Sequence, residues 1–322
     1  MESGEAASNI LDPWPTSADG NEWDGKGLLD LVQRGESPFR KSLDIRALIV
    51  EIEQSLKSSV LDIPMAYFGA HHFGFHVVLK ARSDVIVRVS REDTCNRAYR
   101  GSITQQLQLL NSQFELDVYR ALVPLGSPFN CGPVYHRDPV LAAARSTSSV
   151  RGVSGRRIVV FERAEGEKYD YVRWRALSAE QKSRLLREAA DAAARLFEFE
   201  PSQAFSSTWM RRRASGLDFQ SPPADFPASR QACEVLLKNK VRDTVQRAAS
   251  NYHGMKKSQL SRLDTLEKTL QQLCSCLLPQ PRSYQDENML YRFVLDHGDF
   301  GIHNMTIAPA DADNMRITSV FD

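Results

Sequence analysis

The chain has 322 residues, 42% hydrophobic and 25% charged, with a formal net charge of +1. This is the balance of a globular protein with room for one large domain or two small ones. The near-neutral charge gives no global field for nucleic acid or a membrane surface, and no apolar run reaches membrane-spanning length. The start, MESGEAASNILDPWPTSADG, lacks the basic and apolar regions of a signal peptide. Five cysteines, at 95, 131, 233, 274 and 276, form no disulfide framework and fit a reducing compartment, so the expected location is cytoplasmic. Cys274-Ser275-Cys276 lies in a leucine-rich helical run with no second Cys or His pair nearby, which favours a helix over a metal site.

Residues 1–40 are rich in Gly, Ser, Asp, Glu and Pro and read as a mobile tail, with Trp14 and Trp23 as its contacts to the body. Leu43 to Leu56 has helical periodicity through Ile45, Leu48, Ile49 and Ile52. From Met65 to Ser90 the pattern is three antiparallel strands. A turn with Gly69 and Gly74 joins the first two, and Ala81 to Asp84 joins the second to the third. Such glycines let backbone N–H groups approach phosphates closely. Arg88 stands among valines and isoleucine in the third strand, where a cation needs a partner or a ligand; Lys80, next to a turn, is the competing cation.

Gln105 to Leu122 reads as a helix with Leu107, Leu110, Phe114, Val118 and Leu122 on one stripe and Glu115 beside it. Cys131 to His136 begins a strand pair, Ala142 to Arg157 is a serine- and arginine-rich loop, and Arg157 to Phe161 is a buried strand. Ser178 to Glu200 is a helix opened by a capping box, Ser178 with Gln181, and buried along Leu185, Ala189, Ala192 and Leu196. Irregular sequence with Trp209 and Arg211-Arg212-Arg213 follows. Two amphipathic helices, Gln231–Ala249 and Ser258–Leu278, come next, the second with a stripe of Leu260, Leu263, Leu266, Leu270, Leu273 and Leu277.

The last stretch carries the chemistry. Phe293-Val294-Leu295 leads to Asp296-His297-Gly298-Asp299, with Asn304 five residues beyond Asp299. Met305–Ile307 and Ile317–Phe321 flank an acidic connection and read as a hairpin that ends at Asp322. One loop and one hairpin thus carry Asp299, Asn304 and Asp322 to a common edge. Phosphoryl transfer needs a carboxylate that orients the acceptor hydroxyl and oxygen ligands for magnesium. Asp299 suits the first role, Asn304 and Asp322 the second.

HGDFGIHN followed by ITSVFD resembles the aminoglycoside phosphotransferase family, in its fungal branch, within the protein-kinase-like fold. The resemblance implies a two-lobed α+β architecture: a nucleotide-binding lobe at 41–162 with a small antiparallel sheet, and a mainly helical catalytic lobe at 163–322 with a helical insertion at about 201–279. It implies ATP and Mg2+ as cofactors and a small-molecule hydroxyl as acceptor, with no nucleic acid or membrane partner. Asp299 is then the catalytic base, and Asn304 and Asp322 hold the metal. Arg88, where protein kinases carry Lys, binds the phosphates under Gly69 and Gly74, supported by Glu115 with Asp117 as second choice. Glu162 and Ala164 offer backbone groups to adenine, and His297 braces the loop. Family members continue into further helices after the strand ending in Asp, so the resemblance implies an incomplete, truncated catalytic lobe. The rival readings are a non-catalytic binding protein of the same fold and a choline-type metabolite kinase.

Overall fold

The computed structural model describes residues 11–17, 19–93, 104–139, 153–202, 205–206, 228–251, 257–309 and 315–321. Trp209, the run Arg211-Arg212-Arg213, most of the Ala142–Arg157 loop and Asp322 lie outside them. Two compact units divide the chain, with boundaries at Ala189/Ala190 and Gly298/Asp299; the first unit takes up the chain again from Asp299.

The first unit begins with helices α1 (Leu28–Gln33) and α2 (Ile45–Leu56). Asp44 caps α2 by accepting the Ala47 N–H, as an N-cap carboxylate does for the unpaired first turn. Strands β1 (Val60–Phe68), β2 (His72–Leu79) and β3 (Val85–Ser90) follow, then helix α3 (Thr104–Leu122) and strands β4 (Pro133–Arg137) and β5 (Ile158–Glu162). These strands form one antiparallel sheet in the order β1-β2-β3-β5-β4. The three-stranded pattern expected between Met65 and Ser90 is present, as is the helix expected from Gln105.

Alternation along the strands gives the sheet two different faces. Phe73, Phe75, Val77, Val85, Val87, Val89, Ile158 and Val160 point to one side, where they pack with Leu28, Ile45, Leu48 and Ile52 of α1 and α2 in the main core. Val159 and Phe161 point to the other and pack with Leu116 and Tyr119 of α3.

The segment expected as a tail is built into this core from residue 11 onward. Trp14 stacks on Trp23 with ring centres 5.5 Å apart and donates its indole N–H to the Trp23 carbonyl at 2.8 Å. Trp23, Leu28 and Phe39 are buried. Arg156, 1% exposed, fastens the segment: its guanidinium donates to the Asp12 carboxylate, to the Ser42 carbonyl at 2.7 Å and to the Ser90 carbonyl at 2.8 Å. Polar composition favoured a tail, but four widely spaced aromatic and aliphatic side chains are enough to anchor a polar stretch when a sheet face needs covering.

After β5 come β6 (Glu167–Lys168), α4 (Tyr171–Ala176) and α5 (Ala179–Glu198). The Ser178–Gln181 capping box forms in both directions, at 3.1 and 3.0 Å. Leu185, Ala192 and Leu196 are buried, as the stripe required. The hairpin at the end is β7 (Met305–Pro309) with β8 (Met315–Val320), and β6 adds a third strand to give the order β6-β7-β8.

The second unit contains α6 (Arg230–Asn251), α7 (Lys257–Leu277) and α8 (Tyr284–Leu290). The two long helices pack together as expected. Glu234 of α6 accepts the Ser275 hydroxyl at 2.5 Å, and Arg230 donates to the Ser275 carbonyl at 2.5 Å. The buried stripe of α7 differs from the expected one. Cys274 is buried, whereas Leu266, Leu273 and Leu277 are exposed. The six leucines span more than one face of a 3.6-residue helix, and one partner helix covers only a narrow stripe.

Trp23→Ala should lower the unfolding free energy by about 3–5 kcal/mol, the cost of a buried aromatic cavity. Tyr284→Ala, at a position 77% exposed, should change it by less than about 0.5 kcal/mol. Denaturant titration followed by circular dichroism compares the two.

Candidate active site

The alternation that buries Val85, Val87 and Val89 sends Ile86, Arg88 and Ser90 to the face covered by α3. Arg88 lies opposite Val159 in the β3–β5 register. From α3, Glu115 Oε1 stands 3.3 Å from an Arg88 guanidinium nitrogen, so the expected pair is formed. A residue not anticipated joins it: Arg157 approaches the other oxygen of Glu115 at 2.9 Å. Its signal was present in the sequence. Arg157 is two residues before Val159, so period two puts it on the same face. The three side chains are 20%, 31% and 10% exposed for Arg88, Glu115 and Arg157. Two cations here share one carboxylate, an arrangement that suits an anionic ligand.

The alternatives weighed in the sequence point elsewhere. Asp117 accepts from Gln113 at 2.9 Å and pairs with Arg120 at 3.3 Å on the outer side of α3. Lys80 is exposed after β2.

The turn between β1 and β2 closes through the Gly69 N–H, which donates to the His72 carbonyl at 2.9 Å. A Cβ on Gly69 would stand 3.0 Å from that oxygen, so a side chain would press on the turn. Gly74 lies within β2, with Tyr67 on one side and Arg88 on the other in the strand registers. A Cβ there would meet Tyr67 at an ordinary 3.5 Å. Packing therefore does not demand glycine at 74; its bare backbone leaves the face beside Arg88 open.

Glu162 ends β5 with its side chain exposed, and Ala164 is half-buried. Between them the Arg163 N–H donates to the Asp84 carbonyl at 2.9 Å. Gly166 has φ +92°, and a Cβ on it would fall 2.3 Å from the Ile307 carbonyl oxygen. Only glycine combines that left-handed backbone with so close an approach. Nearby, Thr318 donates to the Glu165 carbonyl at 2.6 Å. The segment after β5 is thereby tied to the β7–β8 hairpin.

At the hairpin, Asn304 is buried and its Nδ2 donates to the Asp299 backbone carbonyl at 3.1 Å, with Asp299 Oδ2 at 3.4 Å. A carbonyl only accepts, so the amide orientation is set and Oδ1 is turned away from that bond. The Asp299 side chain is 74% exposed, with His303 Nε2 3.1 Å from Oδ2. Gly298 has φ +76°, and His297 is half-buried. The Phe321 N–H donates to the Asn304 carbonyl at 3.0 Å, returning the end of β8 to the loop. Glu188 of α5 accepts the Ile317 N–H at 2.7 Å, which satisfies an outward donor of edge strand β8. Ser319 hydrogen-bonds Cys131, whose thiol is pushed up by burial. Among the described residues no three His, Cys, Asp or Glu side chains gather as a metal cluster. The expected ligands are Asn304, within the described residues, and Asp322, outside them.

A profile of the phosphotransferase enzyme family (APH) matches residues 74–322. No curated protein matches the chain. Among solved structures, a candidate aminoglycoside phosphotransferase from Ralstonia eutropha JMP134 is 15% identical with a TM-score of 0.46; the match covers 87% of this chain and 64% of that one. The streptomycin–ATP–APH(2″)-IIa ternary complex is also 15% identical with a TM-score of 0.46, over 85% of this chain and 69% of that one. The chain thus spans under two thirds of the length of the first of these proteins.

Glu115→Gln should destabilise the protein by about 1–3 kcal/mol, because it removes the carboxylate shared by half-buried Arg88 and buried Arg157. Arg88→Gln should cost less, since Arg157 still neutralises Glu115. Urea unfolding of both variants gives the order.

Proposed function

The chain belongs to the phosphotransferase enzyme family, and from that premise we propose that it transfers the γ-phosphoryl group of ATP to a hydroxyl of a small molecule. The observation that carries this reading is the pairing of two local arrangements: an Arg88–Glu115–Arg157 cluster on one sheet face, and a carboxylate loop in which buried Asn304 holds Asp299. Half-buried Arg88 and buried Arg157 beside the bare Gly74 backbone fit phosphate oxygens, which arginine grips through paired N–H groups. Asn304 Oδ1 and the Asp322 carboxylate are the hard oxygen donors that magnesium prefers. Bound with ATP, the ion supplies neutralisation of charge on the phosphates.

In this reading the protein-kinase-like fold of the family has its nucleotide-binding lobe at 41–162 and its catalytic lobe at 163–322. Asp299, exposed and held by its backbone, orients the acceptor hydroxyl and takes its proton. Arg88 and Arg157 hold phosphate oxygens, with Gly69 and Gly74 over them. Backbone groups at Glu162 and Ala164 face the base. The sequence HGDFGIHN supports the fungal branch. No helix among the described residues is long and apolar enough to cross a membrane, and we place the protein in the cytoplasm with a small-molecule partner.

ATP turnover measured against a panel of aminoglycosides, choline-like alcohols and other metabolite alcohols tests the proposal. Turnover with one acceptor class supports it and names the substrate; tight magnesium-dependent ATP binding with no acceptor points to the non-catalytic relative. In the active case Asp299→Asn should lower kcat by about 10²–10⁴ while ATP affinity stays near wild type. Arg88→Ala should weaken ATP by about tenfold or more, and Arg88→Lys by less. Wild-type turnover in folded Asp299→Asn removes Asp299 from the chemistry.

A further inference from the structure

Arg91 follows β3 directly and is buried, on the sheet face opposite Arg88 and Glu115. Its contacts converge on the turn between β1 and β2. One guanidinium nitrogen donates to the Gly69 carbonyl at 3.1 Å and to the Ala70 carbonyl at 2.6 Å. The Arg91 backbone N–H donates to the His71 carbonyl at 2.9 Å. The guanidinium also lies 4.4 Å from the centre of the Phe68 ring, the last side chain before the turn. Three successive carbonyls of the turn are therefore bonded to one residue.

Arg91 is in turn fixed by the N-terminal segment. Its Nε donates to the Asp12 carbonyl at 2.8 Å, and the Asp12 N–H returns a bond to the Arg91 carbonyl at 3.2 Å. The Asp12 carboxylate is held by fully buried Arg156. The chain Arg156–Asp12–Arg91–turn leaves the guanidinium little freedom. All of Asp12, Gly69 and Ala70 precede the span matched by the family profile, which begins at residue 74.

The peptide unit is planar and trans, so each C=O points opposite to the N–H of the next residue. Carbonyls 69 and 70 drawn toward Arg91 turn the N–H groups of Ala70 and His71 away from it. We propose that Arg91 is a positioning residue for the nucleotide phosphates: it acts through the Gly69–His72 turn and aims backbone N–H groups across the sheet without touching the ligand. This rests on the reading of the Arg88 face as a nucleotide site. It assigns to residues 11–23 a second role besides covering the core, that of clamping the residue that sets the turn.

Binding of ATP and of adenosine, titrated separately into the full-length chain, separates positioning from general structure. Arg91→Ala should weaken ATP about tenfold and change adenosine by less than about twofold, because adenosine has no phosphates for the turn to hold. Arg91→Lys should fall between wild type and Arg91→Ala for ATP, since an ammonium keeps the charge but not the planar fork. Thermal unfolding of each variant accompanies the titrations, and if Arg91→Ala does not fold, Arg91→Lys carries the same comparison. Equal losses for ATP and adenosine, or no loss for either, overturn the assignment. A wild-type chain that binds both equally also overturns it, while leaving a base-binding site in place. A wild-type chain that binds neither overturns the nucleotide reading itself and the role of Arg91 with it.

Discussion

Glu115 is a single carboxylate shared by two arginines, Arg88 in β3 and Arg157 just before the neighbouring strand β5. Neither arginine sits in bulk water, and a half-buried guanidinium without a counter-charge is unfavourable. The carboxylate reaches them only because α3 lies across that face, and α3 lies there because Leu116 and Tyr119 pack on Val159 and Phe161. Apolar packing sets the helix, the helix sets the carboxylate, and the carboxylate permits two cations to remain on a sheet face. The shared geometry uses both carboxylate oxygens, one for each arginine.

The two faces of the same sheet divide the labour of the first unit. One is dry and is sealed by α1, α2 and the Trp14–Trp23–Phe39 aromatic group. The other carries the charged cluster. Polar side chains tie the covering elements to that side: buried Arg156 bonds the N-terminal segment to β3, and half-buried Arg137 and Tyr135 of β4 share Glu51 of α2. Such charge-assisted bonds are directional, so they fix the register of the covering segments in a way that apolar burial alone does not.

The hairpin end obeys a different constraint. Met305, Ile307, Ile317 and Val320 are buried in its strands, and hydrogen bonds fix the loop that leads into it: Asn304 to Asp299, Phe321 to Asn304, with Ile317 to Glu188 at the edge. Gly166, packed against Ile307, joins this hairpin to the segment leaving β5. A side chain at that one position would separate two elements that are more than a hundred residues apart in the chain.

Local pattern was sufficient for much of this protein. Period two located β1–β3 and the hairpin, period 3.6 located α2, α3 and α5, and Ser178 with Gln181 marked a helix start, because strand alternation, helical stripes and capping are decided within a few residues. The spacing from Asp299 to Asn304 announced the loop, and the apolar neighbours of Arg88 announced that it needed a partner. What the sequence could not decide was pairing across long separations. That Glu115 serves Arg157 as well as Arg88, that the polar N-terminal stretch seals a core, that α7 buries Cys274 while exposing Leu266 and Leu273, and that Arg91 grips the turn at Gly69 all depend on which faces meet after folding. Residues tens of positions apart become neighbours only through packing, and no local periodicity encodes which neighbour a given side chain will find.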